Sequence, residues 1–231
     1  MKSQPDLSKR IKNIDLEALN KKYEPLTAIE RIKELYKDFN MDDVLLTSSF
    51  AANSAFFLHL FSTATNSAQK IHFIDTTYHF PETLEYKKLL TDKYNLRVID
   101  LKPEKWLNEF TQKDETWKKN PDYCCSINKV EPLKAITEQY NVWASGLMRS
   151  QNEHRKGLRV FEFKNGILRF YPIIDITSEQ RNAYIKEHKL VFHPLVKEGY
   201  DSIGCKHCTI KGAGREGRWV GLAKNECGLH I

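Results

Sequence analysis

The residues best able to do chemistry in this sequence are its five cysteines, two of which are adjacent. Cys124-Cys125 and Cys205-Lys206-His207-Cys208 supply four thiols in two short segments. A Cys-x-x-Cys spacing serves redox, zinc and iron–sulfur sites alike, so by itself it selects none of them. The adjacent pair says more. A disulfide between neighbours is strained, so such a pair reads as two ligands of a metal or cluster, or as buried thiols. Four thiolates suit a tetrahedral zinc or a four-iron cluster, and spacing does not separate the two. Cys227 is left over, in the run Glu226-Cys227-Gly228-Leu229-His230. Terminal segments are mobile unless tied down, so this thiol is expected to swing between a closed site and solvent. Arg215 and Arg218 lie upstream, and nearby cations favour a thiolate. An exposed thiol without a role is the competing reading.

Other segments have the makings of an anion site. Ser48-Ser49-Phe50-Ala51-Ala52-Asn53-Ser54 is small and polar and leads into a helix, where backbone amides bind anions. An ordinary N-capped helix start explains the same residues. Asp75-Thr76-Thr77-Tyr78-His79 follows a second strand, and Gly146-Leu147-Met148-Arg149-Ser150-Gln151-Asn152-Glu153-His154-Arg155 follows a fourth. Ligands of open α/β sheets sit at the carboxyl ends of strands, so these turns are expected to line one crevice.

The elements that would hold these turns can be read from periodicity. Up to about Asn40 the chain reads as polar helices, with Ile29, Ile32 and Tyr36 on one face. Val44–Thr47, Ile71–Asp75, Leu96–Leu101 and Val142–Gly146 read as strands. Between them come helices from Ser54, from Pro81 to about Tyr94, around Trp106 and from Cys124 to Tyr140. Alternation of this kind implies an α/β fold, a mostly parallel twisted sheet with helices on both faces. Asn165-Gly166 predicts a hairpin turn, and Thr177-Ser178-Glu179-Gln180 a capping box opening another helix. From about His193 the chain becomes a loop-rich tail. The expected division is a helical segment over 1–40, a nucleotide-binding α/β domain over 41–200 and a cluster-binding, catalytic tail over 201–231.

At 231 residues, 41% hydrophobic and 29% charged, the chain suits one globular domain rather than a disordered one. A net charge of +6 without a basic block fits an anionic small substrate and gives no nucleic-acid tail. No apolar run approaches the roughly twenty residues of a membrane span, and no secretory leader is evident. The expected compartment is the cytoplasm, without membrane or nucleic-acid partners.

Together these segments resemble the assimilatory sulfonucleotide reductases, from about Asp43 to His230. Glu226-Cys227-Gly228-Leu229-His230 is similar to that family's catalytic signature. Cys124-Cys125-Ser126-Ile127-Asn128-Lys129 with Gly204-Cys205-Lys206-His207-Cys208 resembles the cluster-binding pattern of its iron–sulfur branch. Gly214-Arg215-Glu216-Gly217-Arg218-Trp219 resembles the arginine segment that meets phosphate and sulfate. The resemblance implies an adenine nucleotide alpha hydrolase-like fold and a [4Fe-4S] cluster on Cys124, Cys125, Cys205 and Cys208. It implies Cys227 as the nucleophile of thioredoxin-dependent reduction of adenylyl sulfate to sulfite and AMP, an oxidoreductase step of sulfate assimilation and cysteine biosynthesis. Substrate contacts would come from Ser48, Ser49, Phe50, Asp75, Thr76, Lys129, Gly146, Arg149, Gln151, Arg155, Arg215, Arg218 and His230. Thioredoxin or glutaredoxin would supply the thiol, and a homo-oligomer is left open.

Three positions depart from the pattern. Asn128 stands where an Arg is usual, Met148 replaces a first Arg, and Thr77 replaces the Gly of an Asp-Thr-Gly turn. The stretch from Ser49 to Leu60 resembles the branch that uses 3′-phosphoadenylyl sulfate, so the same chemistry on that nucleotide, or on both, is an alternative. ATP-using sulfur-transfer or tRNA-thiolating enzymes share the fold class but need Ser-Gly-Gly-x-Asp-Ser, which Phe50, Ala51 and Asn53 break. A zinc-binding regulatory module is the non-enzymatic alternative.

Overall fold

The computed structural model describes residues 14–222, 224 and 226–230. Expected helix before residue 14 lies outside that range. Six strands form one sheet in the order β3-β2-β1-β4-β6-β5. They are β1 (Val44–Thr47), β2 (Lys70–Ile74), β3 (Arg97–Leu101), β4 (Val142–Ala144), β5 (Phe161–Lys164) and β6 (Ile167–Phe170). All neighbours run parallel except the β5–β6 hairpin. That hairpin turns on Asn165 and Gly166, whose φ values of 53° and 79° are the left-handed pair that an Asn-Gly turn provides.

Side chains alternate across the strands, so the sheet is apolar on both faces. Val44 and Leu46, Val142 and Ala144, and Leu168 and Phe170 face the larger core. Leu45, Trp143 and Ile167 face a smaller one with Leu133. The larger face is covered by α1 (Leu16–Tyr23), α2 (Ala28–Asp38) and α3 (Ser54–Thr65), whose Tyr23, Ile32, Leu35 and Phe57 share that core. Arg31, only 2% exposed, pins the N-terminal helices by donating to the carbonyls of Tyr23, Glu24 and Pro172 and pairing with Asp175 at 2.6 Å. On the other face lies α8 (Glu131–Thr137).

The helix expected from Cys124 to Tyr140 is broken. A short α7 (Pro121–Cys125) passes into one π-turn over Ser126–Val130 before α8 begins. Such bulges re-aim side chains, and this one follows the cysteine pair and carries Lys129. The remaining helices are α4 (Pro81–Lys93), α5 (Lys105–Lys113), α6 (Thr116–Lys119) and α9 (Ser178–Glu187). Thr177 and Gln180 form the capping box of α9.

Candidate active site

β1 pairs with β2 on one side and β4 on the other, so chain order reverses at β1 and a crevice opens beyond the strand ends there. The crevice holds a cavity of about 590 Å³. Ser48 and Ser49 line it after β1, Thr76 after β2, and Gly146 and Gln151 after β4. The Ser48 hydroxyl accepts the Phe50 N–H at 3.2 Å and lies 3.3 Å from the Ser54 hydroxyl, which fixes the first turn.

Across the cavity lies the tail, whose Arg215, Arg218, Cys227 and His230 share the wall with Lys129 and Arg155. The expected loose end is docked on both sides of Cys227. Glu226 is buried, and its carboxylate takes Arg155 Nε at 2.8 Å, Arg155 Nη2 at 2.7 Å and Asn152 Nδ2 at 2.8 Å. Arg215 lies 3.5 Å away on the same carboxylate. Gly228, at φ 89°, is placed so that a Cβ would meet Val130 at 3.3 Å. Leu229 packs into the smaller core, and His230 stacks on Trp143 at 4.8 Å with 18° between the rings. Trp143 is held in turn by its Nε1–H, donated to Thr47 at 2.8 Å. Burial first, and then the charges of Arg155, Arg169 and Arg215, hold the His230 pKa well below the usual imidazole range. It therefore meets an incoming group as a neutral ring.

The Arg218 guanidinium packs close against the backbone at Gly204. A Cβ on Gly204 would fall 2.3 Å from its Nη2, so only glycine leaves room for the guanidinium. That group also lies over the Trp219 ring at 4.4 Å and donates to Ser202 at 3.3 Å. Lys129 is the hinge of the arrangement, because it lines both this cavity and a second, smaller one. Burial works to discharge its ammonium, but the sulfurs of Cys205, Cys125 and Cys227 outweigh it and raise the pKa.

The second cavity is lined by Cys124, Cys125, Cys205 and Cys208. All are free thiols. Asn128 Nδ2 lies 3.6 Å from Cys124 Sγ, and the Thr76 hydroxyl 3.4 Å from Cys205 Sγ. Burial, then the neighbouring sulfurs, push Cys124 up to about 12 and Cys208 up to about 11. Buried thiols gathered in this way become thiolates together most readily against a strong local cation, which is the chemistry of a metal-cluster donor set. The residues present fit such a group. Among the described residues no three His, Cys, Asp or Glu side chains form a site for one metal ion, so the sulfurs share a cavity without closing on a point.

Residues 43–211 match the phosphoadenosine phosphosulfate reductase domain. The chain belongs to that family. A Bacillus mycoides (strain KBAB4) protein named adenosine 5′-phosphosulfate reductase is 36% identical over 216 residues, covering 88% of this chain and 90% of the relative. Among solved structures, phosphoadenylyl-sulfate reductase from Candida auris in its phosphate complex superposes with TM-score 0.71 at 28% identity, over 84% of this chain and 95% of that one. Candida glabrata FMN adenylyltransferase, at 13% identity and TM-score 0.57 over 90% of this chain and 72% of its own, shares the fold alone.

Within this reductase-family frame, three expected substrate contacts lie elsewhere. Phe50 adopts φ 49°, which turns its ring into the core, edge-on to Phe73 at 5.6 Å. Asp75 does not line the cavity, and its carboxylate accepts the Thr77 N–H at 3.0 Å and lies 3.7 Å from Lys102. Arg149 Nε donates to the Leu158 carbonyl at 2.8 Å instead of reaching the cavity. Other wall residues were not singled out as substrate contacts in the sequence, including His79, Trp143, Gly204 and Glu226. Glu226 stood in the signature itself, but nothing local shows that a carboxylate beside a nucleophile faces two arginines.

Proposed function

We propose that this protein reduces adenylyl sulfate to sulfite and AMP through a covalent S-sulfocysteine on Cys227. The observation that carries this is the placement of Cys227 in one cavity with Lys129 and Arg218, at the crevice where an α/β sheet binds nucleotides. The names of the bacterial relatives support adenylyl sulfate as the substrate.

The strand-end turns at Ser48, Thr76 and Gly146 would cradle the nucleotide, while Lys129 and Arg218 face the phosphosulfate. The Cys227 thiolate attacks the sulfate sulfur, and the bond from that sulfur to the bridging phosphate oxygen breaks. AMP departs with the electron pair, leaving a thiosulfonate on Cys227. Lys129 and Arg218 neutralise charge on the leaving phosphate and sulfuryl oxygens. A thiolate of thioredoxin or glutaredoxin then attacks Cys227 Sγ, releasing sulfite as a two-electron product and leaving a mixed disulfide. The reductant's second thiol resolves it. Cys124, Cys125, Cys205 and Cys208 would hold a [4Fe-4S] cluster, whose role when bound is to shape the electrostatics around Lys129.

The test is thioredoxin-coupled sulfite release on anaerobically purified protein, comparing adenylyl sulfate with its 3′-phosphorylated form. A clear preference for adenylyl sulfate is expected. Equal rates assign dual specificity, and no sulfite from either nucleotide overturns the reading. Iron and labile sulfide near four per chain are expected, while a single zinc overturns the cluster.

A further inference from the structure

Arg155 was expected to bind substrate, yet in the folded chain its charge is already matched. Arg155 is 4% exposed and Glu226 7% exposed, so the pair is out of water. The carboxylate accepts from Arg155 Nε at 2.8 Å and Nη2 at 2.9 Å on its two oxygens, a fork-to-fork geometry. Asn152 adds a third donor at 2.8 Å, and Arg215 approaches at 3.5 Å. Gln151 accepts from Arg155 Nη1 on the other side. Every donor comes from the segment after β4 or from the arginine segment, while the acceptor sits one residue before the nucleophile.

We propose that Glu226 is a positioning residue, a carboxylate anchor that seats the Cys227 segment against Arg155 and Arg215 and so sets the attacking sulfur in the cavity. This deepens the proposed function and rests on it. Lys129 and Arg218 are left to meet the phosphosulfate, which divides the cavity's cations between two duties. Anchor and substrate differ in one consequence. A residue that binds substrate raises KM when it is lost, whereas loss of the Glu226 carboxylate removes the anion that faces the Arg155 guanidinium and leaves that cation open to an anionic ligand.

The test measures the tail without turnover and then with it. Protein with its metal content intact is treated with an alkylating reagent, and modification of Cys227 is followed by peptide mass. Glu226→Gln is expected to raise the Cys227 alkylation rate about 10-fold over wild type, and Glu226→Asp less, with the other cysteines still protected. Arg155→Gln should raise it similarly, and the double variant no further, because both changes release one anchor. In turnover, Glu226→Gln should lower kcat at least 10-fold while KM stays level or falls. Wild-type alkylation rates in both Glu226 variants would overturn the anchor, as would a double variant whose effect is the product of the single ones. Should the wild type release no sulfite while the alkylation cycle behaves as described, the reaction assignment falls and the anchor stands.

Discussion

The five cysteines occupy two opposite settings a few residues apart in space. Cys124, Cys125 and Cys205 are each less than a tenth exposed, and they share a small cavity with Cys208, walled by Tyr78, Trp117 and His207. Burial raises the pKa of Cys124 and Cys125, and for Cys124 the neighbouring sulfurs add to it, so both resist ionisation. Cys227 lines the open cavity, which Cys205 also borders, together with Lys129 and Arg218. The residue type is the same, and the neighbours decide the role. Thiols gathered together suit a ligand set, and a single thiol among cations suits the proposed nucleophile.

Exchanging one sulfur for oxygen in each setting should break the molecule in opposite ways. Cys227→Ser should lower sulfite release by at least about 10³-fold, since the covalent intermediate cannot form, while iron content and Tm stay at wild-type values. Cys205→Ser should lose iron and sulfide and lower Tm, because binding of a metal group adds directly to folding free energy. Activity retained in Cys227→Ser, measured by sulfite release, would remove the distinction between the two settings.

Lys129 stands on the wall between them, and its ammonium is held by sulfurs from both sides. Lys129→Met should cost about 10²-fold in kcat/KM, the scale for losing one preorganised charge at a transition state. The absorption of the bound metal group should also shift. A change in kcat/KM with no spectral change would confine Lys129 to the substrate side.

A buried histidine gives the scaffold beneath the cavity its own pH signature. His193 is fully buried, with Nδ1 accepting the Leu195 N–H at 3.2 Å and Nε2 3.1 Å from the Thr83 hydroxyl. Burial lowers its pKa to about 4. The unfolded imidazole takes up a proton first, so stability is whole above about pH 6.5 and is lost as pH falls through that point towards 4. Between pH 7 and pH 5 the loss should be about 2 kcal/mol in denaturant unfolding. His193→Gln should flatten that slope, and an unchanged slope would assign it to other groups.

Much of the frame was legible in the sequence because it depends on local pattern. Apolar runs marked β1, β2 and β4, Asn165-Gly166 marked the hairpin, and Thr177 with Gln180 marked a helix start. Polar side chains with long-range choices were not legible. Arg155 could have met a substrate as easily as Glu226, 71 residues away. Phe50 reads as a wall residue until its left-handed backbone turns it inward. Lys129 was identified, but not the π-turn that aims it, because one extra residue per turn leaves no mark in apolar spacing. The four thiols were legible as a set because clustering of cysteines is rare by chance, whereas their cavity was visible only once folded.

The smallest expected effect concerns the turn that touches both settings. Thr76 lines the open cavity and points its hydroxyl at Cys205, and the next residue, Thr77, holds φ 64°. A β-branched residue in that region costs about 1–3 kcal/mol relative to relaxed backbone. Here the hydroxyl offsets part of it, donating to Asn108 Oδ1 at 3.1 Å and accepting from Gln112 Nε2 at 3.0 Å. Asn108 Nδ2 continues to Asn128 Oδ1 at 2.7 Å, and Asn128 Nδ2 lies 3.6 Å from Cys124 Sγ. Two departures from the family pattern, Thr77 and Asn128, are thus joined through one asparagine. Thr77→Gly removes the strain and both contacts, so Tm should move by the equivalent of about 1 kcal/mol or less. Thr77→Val keeps the branch but loses the hydroxyl, and should destabilise by about 1–2 kcal/mol. If the glycine variant is the more stable by well over that margin, the hydroxyl contacts contribute nothing and the link between turn and cysteine is only proximity.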